Sequence, residues 1–421
     1  MNKFAHMADI HLGAHREPVL QEIEMRVFSA AMDKCIEIGV DFILVSGDLF
    51  HLGVPDLGVV NEALKKIRKV QDAGIPIYVI YGSHDYTPTG TSVIDLLHTA
   101  GMVTKVVNWR MEDGKLKLDF FEDPKTGAKL AGISARKIGL ESRYYEILDR
   151  ENLEKEGGFK IFAFHSGLTE FKPTILADME TVPISNFPKG FDYYAGGHIH
   201  ERGEFKLPGY ERVVFPGPLF TGHGRDIEAT AKGEKRGFYL VSFDDEVRSV
   251  EFVPIHGFDG VWFEYDADGK NSAMAGSELQ GELDEVPVQD KIVVLKVKGE
   301  LSGGKPSDID FAGIRTKLLE RGAICVFLNR HGLASREYAA IKVAGDDPSV
   351  IESKLFGENI GTVRVAEEGL KGDKGVSVAI ELLKALRQEQ KGNELKAEYL
   401  ERMVENGIET LRLGKILEGA E

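Results

Sequence analysis

The sequence predicts an α/β fold, and three observations carry that prediction. Phe42-Ile43-Leu44-Val45 is an unbroken apolar run, as expected of a strand buried on both faces. Before it, Leu20, Ile23, Val27, Ala31, Cys35 and Ile38 recur at helical spacing, and Gly39 closes that helix. After it, a second helical stretch over about 56–73 ends at Gly74 and leads into an apolar strand over 75–81. Strand, helix, strand, helix, strand is the pattern of a parallel βαβ sheet.

Taken in order, residues 3–8 form the first strand and deliver Asp9-Ile10-His11. The Phe42 run stops abruptly at Ser46-Gly47-Asp48, which puts a carboxylate at the carboxyl end of a core strand. Open α/β sheets bind their ligands at such ends. The strand over 75–81 ends at Gly82-Ser83-His84-Asp85, and a shorter helix follows over 91–100. Short strands are expected around the turn Asp123-Pro124-Lys125-Thr126-Gly127, then one polar helix over 141–155. Strands over 160–164 and 191–195 lead to His165 and to Gly196-Gly197-His198-Ile199-His200. From 205 to 254 the pattern is strands joined by turns, and 255–260 reads as an exit segment.

Residues 261–340 suit a small α+β region, with strands over 292–297 and 323–328 and a helix near 309–321. Glycines 357, 361, 369 and 372 mark a connecting region, and the tail from about 376 is helical. Val376, Ala379, Ile380, Leu383 and Leu386 make one apolar stripe. Leu395, Leu400, Met403, Val404, Ile408 and Leu411 make another after Gly392-Asn393. Such stripes suit either packing on the chain's own domain or a partner-binding hairpin. The expected division is 1–258, 259–345 and 346–421.

At 421 residues the chain holds material for two or three domains. A net charge of −16 offers no global basic field for nucleic acid, although bound cations and local patches still attract phosphate. Cys35 and Cys325 both lie in apolar context, which favours buried free thiols over a disulfide. No apolar run is long enough to span a membrane, and motif residues follow Met1 too closely for a signal peptide. A reducing, cytoplasmic setting is the expectation.

Asp9, His11, Asp48, His165, His198 and His200 each follow an apolar run. Carboxylate and neutral imidazole are ligands for first-row divalent metals, and a carboxylate can bridge two ions. Two carboxylates and four imidazoles exceed what one tetrahedral ion needs, so two ions are the economical reading. A pair of ions suits in-line displacement at phosphorus, so the expected chemistry is hydrolysis of a phosphate ester. A lone Asp-x-His or His-x-His arises often by chance; the ordered series, each member closing a strand, is what carries the reading.

The series Asp9-Ile10-His11, Gly47-Asp48, Gly82-Ser83-His84-Asp85, His165 and Gly197-His198-Ile199-His200 resembles the calcineurin-like metallophosphoesterases over roughly the first 220 residues. Within them the chain is similar to the SbcD/Mre-eleven type of DNA double-strand break nuclease. That closer likeness rests on His51, on Phe215-Pro216-Gly217 and on Arg236-Gly237-Phe238-Tyr239-Leu240-Val241. The resemblance implies a four-layer αββα sandwich, a small capping domain and a helical tail. It implies that Asp9, His11 and His200 hold one ion, His165 and His198 the other, with Asp48 bridging. His84 would be the catalytic histidine, Asp85 would orient it, and His51 would sit near the cleaved strand and favour exonuclease work. One departure stands out. The usual third motif is Gly-Asn-His, whose Asn lends a carbonyl oxygen to the second metal. Ser83 is shorter and a poorer neutral ligand, so water can take that place.

The family implies Mn²⁺, while the ligand set alone also allows Zn²⁺ or Fe²⁺. It further implies DNA ends and single strands as substrate, a homodimer, and an SMC-like ATPase of the SbcC/Rad-fifty type bound by the helical tail. The basic stretch 232–236 and the pair Arg136-Lys137 can contact DNA phosphate or simply be solvated charge. The competing readings are another phosphodiesterase or phosphatase on the same core, and a DNA-end-binding scaffold whose second metal site has decayed at Ser83. The extra residues after about 260 argue against the first, and intact His84 and Asp85 against the second.

Overall fold

The computed structural model describes residues 1–87, 90–135, 141–172, 180–335, 370–388, 390–391 and 396–411, with a few positions between 352 and 360. Arg136-Lys137, the end of the small α+β region beyond 335, Gly361, Gly369, Gly392-Asn393 and Leu395 lie outside the described residues. The chain divides into two units. One comprises Met1–Tyr265, Val286–Lys296 and Ala312–Asn329, the other Asp266–Glu285, Val297–Phe311 and Arg330–Glu421.

The first unit opens with β1 (Asn2–Met7), α1 (Pro18–Ile38), β2 (Phe42–Ser46), α2 (Leu57–Asp72), β3 (Ile77–Ile80), α3 (Val93–Thr99) and β4 (Thr104–Lys105). Gly39 ends α1 in the left-handed conformation, and the Asp56 side chain caps α2 by accepting from Gly58 and Val59 N–H. A hairpin, β5 (Asn108–Glu112) and β6 (Lys115–Asp119), precedes β7 (Phe121–Glu122) and β8 (Lys129–Ile133). The single polar helix expected over 141–155 is two helices, α4 (Glu141–Glu146) and α5 (Arg150–Glu154). Between them Ile147 and Asp149 exchange backbone hydrogen bonds with Leu116 of β6, at 2.9 and 2.8 Å, which interrupts the helix.

Next come β9 (Lys160–His165), β10 (Gly167–Leu168), β11 (Thr181–Val182), β12 (Tyr193–Gly197), β13 (Gly203–Leu207) and β14 (Tyr210–Phe215). A helix, α6 (Gly224–Ala231), lies where only strands and turns were expected; it is followed by β15 (Gly237–Phe243) and β16 (Val247–Pro254). Two six-stranded sheets result, ordered β16-β15-β1-β2-β3-β4 and β13-β14-β12-β9-β8-β7. The central pairs β1–β2, β2–β3, β8–β9 and β9–β12 are parallel.

Alternation along each strand builds the layers. Phe4, Phe42, Leu44, Ile161, Ala163, Tyr193 and Ala195 share one core between the sheets. Their neighbours Ala5, Ile43 and Val45 face a second core with α1 and α2, through Val27, Ala31, Ala63 and Ile67. Phe162, Phe164 and Tyr194 face a third, with Tyr145 of α4 and Leu153 of α5. Three cores between four layers make the expected αββα sandwich, and explain why the central strands are apolar without a break. Phe42, fully buried and stacked on Phe4 at 5.0 Å, shows the scale: trimming it to alanine costs about 3–5 kcal/mol. Both cysteines are free and buried.

Strand β17 (Gly260–Asp266), helix α7 (Ser272–Asp284), β18 (Ile292–Leu301), α8 (Phe311–Glu320) and β19 (Cys325–Ser335) follow, with the strands in one three-stranded sheet in that order. Helix α7, capped by Asn271, was not foreseen; only Ala275, Leu279 and Leu283 of it are buried. In the second unit, α9 (Gly372–Leu386) and α10 (Lys396–Thr410) pack together, with Tyr399 Oη donating to the Gln388 carbonyl and Arg402 reaching Gln388 Oε1 at 2.9 Å. Among the described residues no helix is long and apolar enough to cross a membrane.

Candidate metal centre

Because β1, β2, β3, β9 and β12 run parallel within their sheets, the segments leaving their carboxyl ends meet. Asp9 and His11 leave β1, Asp48 leaves β2, Ser83 to Asp85 leave β3, and His165 ends β9. His198 and His200 leave β12. Asp9, His11, Asp48 and His198 all have positive φ, at 51°, 54°, 54° and 84°. That left-handed conformation is uncommon outside glycine, and it turns each side chain sharply off its strand.

The ligand atoms converge. Asp9, His11 and Asp48 each offer one within 4.8 Å of the others. His165 Nε2 stands 3.2 Å from Asp48 Oδ2 and 3.9 Å from Asp9 Oδ1, and His200 Nε2 is 3.8 Å from Asp9 Oδ1. His11 Nε2 faces His200 Nε2 at 3.3 Å and Asp48 Oδ2 at 3.7 Å. The His198 ring lies 5.2 Å from that of His165, while its backbone N–H donates to Asp9. Ser83 Oγ donates to Asp48 Oδ2 at a long 3.5 Å.

Two features show that this set fits divalent cations. Asp9 and Asp48 are 0% and 2% exposed, yet among the described residues neither is ion-paired with a lysine or arginine. Unpaired buried charge is costly, and a cation removes that cost. His165 Nε2 is likewise buried without a hydrogen-bond partner, whereas its Nδ1–H donates to the Ser46 carbonyl at 2.8 Å. That turns Nε2 inward, 3.2 Å from Asp48 Oδ2 and 3.9 Å from Asp9 Oδ1, the position a metal ligand needs. Burial pushes the Asp9 carboxyl up to about 6, against the pull of His165 and His200. Burial opposes ionisation of Asp48 too, but the imidazoles of His165, His11 and His84 outweigh it and hold that carboxyl well below the usual range.

Glycine makes the approach possible. A Cβ on Gly47, at φ +91°, would lie 2.3 Å from His165 Nδ1, and one on Gly82 would lie 2.1 Å from Asp48 Oδ1.

His84 lies beside these atoms. Its backbone N–H donates to Asp48 Oδ1 at 2.8 Å, and its Nδ1 meets the His51 carbonyl at 2.8 Å. A carbonyl only accepts, so Nδ1 carries the proton and Nε2 is the ring's remaining polar atom. The ring of His51 is 4.7 Å from that of His84. The expectation that Asp85 orients His84 needs correcting. The Asp85 carboxylate accepts from the N–H groups of Asp48, Gly82 and Phe50 at 2.7, 2.9 and 3.2 Å, so it ties the loop after β3 to the loop after β2. The acceptor that holds the His84 ring is the His51 backbone.

The calcineurin-like phosphoesterase family profile matches residues 2–202. A DNA double-strand break repair protein Mre11 of Methanococcus maripaludis is 30% identical over 261 residues, covering 60% of this chain and 67% of that protein. The chain belongs to the Mre11 group of calcineurin-like metallophosphoesterases. The Mre11 of Sulfurisphaera tokodaii is 30% identical over 258 residues, covering 59% of this chain and 62% of its own length. That of Methanopyrus kandleri is 26% identical over 414 residues, covering 92% and 83%. The first two matches thus span only about two thirds of those proteins.

This Mre11-group centre also uses residues that motif reading passed over. Asp226 of α6 accepts from His200 Nδ1 at 2.9 Å and from the N–H groups of Gly222 and His223 at 2.8 and 2.9 Å. His200 is thereby raised above its ordinary value, with burial opposing and the Asp226 hydrogen bond prevailing. Glu24, buried in α1, accepts from Gly13 N–H at 2.7 Å and steadies the loop after His11. Arg236, read as either a phosphate contact or solvated charge, is neither: it is 6% exposed and donates to the carbonyls of His200 and Asp226 and to Thr230 Oγ1. Lys232 pairs with Glu228 at 2.8 Å.

Proposed function

We propose that this protein is a two-metal DNA nuclease that processes double-strand break ends, cutting endonucleolytically and 3′→5′ exonucleolytically, with an SMC-like ATPase of the SbcC/Rad-fifty type. The observation that carries the reading is the pair of buried carboxylates without lysine or arginine partners, ringed by inward-facing imidazoles. Asp9, His11 and His200 would hold one ion, His165 and His198 the other, and Asp48 would bridge them, with Ser83 or a water completing the second site. The ions would be Mn²⁺, as the family resemblance implies; the mixed imidazole and carboxylate set itself also admits Zn²⁺ or Fe²⁺. The bound ions would supply Lewis-acid stabilisation of the phosphate and a water of lowered pKa.

The chain's own groups do the rest. His84 binds the proton that the leaving oxygen needs at Nε2, while the His51 carbonyl holds Nδ1–H and stabilises the imidazolium. Asp48 fixes the His84 backbone, so bridging and proton delivery share one carboxylate. The His51 ring would line the strand being cut.

Two exposed apolar faces support the assembly. Leu52, Val54, Leu57 and Leu96 are 56–82% exposed, and Val93 N–H bonds Gly53 O, joining their two segments; this face suits a homodimer. Leu386, Leu400 and Val404 of α9 and α10 are at least half exposed, which suits a docked ATPase. The setting proposed is the cytoplasm, on DNA.

A time course on end-labelled duplex DNA, with Mn²⁺ against Mg²⁺, tests the reading. His84→Ala should lower the rate about 10²–10⁴-fold while Mn²⁺ binding by calorimetry is retained. Cleavage of bis(p-nitrophenyl) phosphate without any cleavage of DNA would overturn the nucleic-acid assignment. Full activity of His84→Ala would overturn the role of His84.

A further inference from the structure

Three imidazoles at this centre stand outside the set assigned to the ions: His51, His84 and His223. Their ring centroids are 4.7, 6.0 and 6.1 Å apart, and each lies within 5.6 Å of the His11 ring. His223 belongs to none of the motifs read from the sequence, and its mounting is specific. The Thr221-Gly222-His223 segment lies on the His11 ring so closely that a Cβ on Gly222 would come within 2.5 Å of His11 Cδ2. Asp226 holds the N–H groups of Gly222 and His223 with the same carboxylate that accepts from His200. Arg236 ties α6 to the His200 carbonyl at 3.2 Å. The backbone beneath the ring is therefore fixed to the metal centre itself.

His223 has a ring nitrogen within 4.8 Å of ligand atoms of His11 and His200, so metal binding is the first role to weigh. Orientation argues against it. The rings of His223 and His200 are stacked 5.1 Å apart at an interplanar angle of 11°. Imidazole binds a metal along a nitrogen lone pair, in the plane of the ring. Two nearly parallel rings stacked face to face do not aim their lone pairs at one ion. His223 is also exposed, unlike Asp9, His11 and Asp48. An exposed imidazole 6.0 Å from the His84 ring, packed beside His11, is placed to meet an anion. Hydrogen bonds of ~2.8 Å from three such rings would span a single tetrahedral phosphate.

We propose that His223 is a further catalytic residue, donating a hydrogen bond to a non-bridging oxygen of the scissile phosphate so that His51, His84 and His223 clasp it from three sides. The inference rests on the phosphodiesterase reading above and adds a substrate contact to it.

The test uses the full chain with His223→Ala and His223→Gln, on bis(p-nitrophenyl) phosphate and on end-labelled DNA. Losing one hydrogen bond to a charged group should lower kcat/KM about 10- to 100-fold in His223→Ala. Inorganic phosphate should bind the Mn²⁺-loaded variant more weakly by a similar factor in calorimetry. His223→Gln, which keeps a donor, should recover part of both losses. Mn²⁺ titration of metal-stripped protein should give equal stoichiometry in all three. Unchanged kcat/KM and phosphate affinity would overturn the proposal, as would a glutamine variant no better than alanine. A lost Mn²⁺ equivalent would make His223 a ligand instead. A wild type inactive on both substrates sinks the phosphodiesterase reading, and the phosphate calorimetry then decides the His223 contact alone.

Discussion

Replacing Asp226 separates the two jobs of one carboxylate. In Asp226→Asn the amide oxygen can keep the place of Oδ2, which accepts from Gly222, His223 and His200 at 2.8–2.9 Å. The loop should hold its course, but the charge behind His200 Nδ1 is gone and an NH₂ group faces that ring from the Oδ1 side at 3.0 Å. Losing a partner behind a metal-ligating imidazole typically weakens metal binding 10- to 100-fold. The asparagine should sit near the lower figure, about 1.4 kcal/mol. Asp226→Ala also strands the two loop N–H groups, so it should approach the upper figure. It should also lower global stability by about 1–2 kcal/mol, as loss of a helix cap does. Mn²⁺ calorimetry on metal-stripped protein reads the first effect and urea unfolding the second. If both variants bind Mn²⁺ like wild type, His200 is not a ligand or Asp226 does not support it. If alanine and asparagine are equally weak and equally stable, the loop contacts carry no weight.

Three further outcomes are expected. Gly47→Ala should destabilise the protein by about 2–4 kcal/mol, because its Cβ would meet His165 Nδ1 at 2.3 Å at φ +91°; an unchanged urea midpoint would show that the loop yields freely. Burial raises the Glu24 carboxyl from 4.5 to about 7, so the folded state takes up a proton that the unfolded state does not. Stability from this group is full below pH 4.5 and falls as pH rises to about 7, by roughly 3 kcal/mol. In Glu24→Gln that decline should vanish, and parallel stability–pH curves for the two proteins would contradict it. Ser83→Asn should tighten the second Mn²⁺ site several-fold, roughly 1 kcal/mol, by offering a carbonyl oxygen; identical titrations would show that Ser83 takes no part there.

The sandwich was legible because strands buried on both faces have little choice of residue. Phe42 to Val45 serve two cores alternately, so the run is apolar throughout and its abrupt end at Asp48 is visible. The motif residues were readable for the same reason, since each leaves such a strand. Helix α6 was hidden because one apolar residue, Ile227, is all it buries along with Asp226. Helix α7 was hidden by two glycines and a stripe of only Ala275, Leu279 and Leu283. The break between α4 and α5 depends on Leu116, a partner some thirty residues away that no local pattern announces. Asp226 and His223 were missed because the fold alone sets them against His200. The signal that could have found them is weak: Gly-His-Gly before an aspartate at the start of a short helix.

The left-handed backbone at Asp9, His11, Asp48 and His198 bears on how ions come and go. Each such residue costs roughly 1–3 kcal/mol, and the surrounding sheets bear that cost whether or not an ion is present. The cage should therefore keep its shape when emptied, and filling it should need no refolding step. A chelator should strip the protein reversibly, leaving its unfolding transition cooperative. Reloading should be limited by dehydration of the incoming ion rather than by rearrangement of the chain. Selectivity among ions then follows from fixed distances and donor types together with the metals on offer.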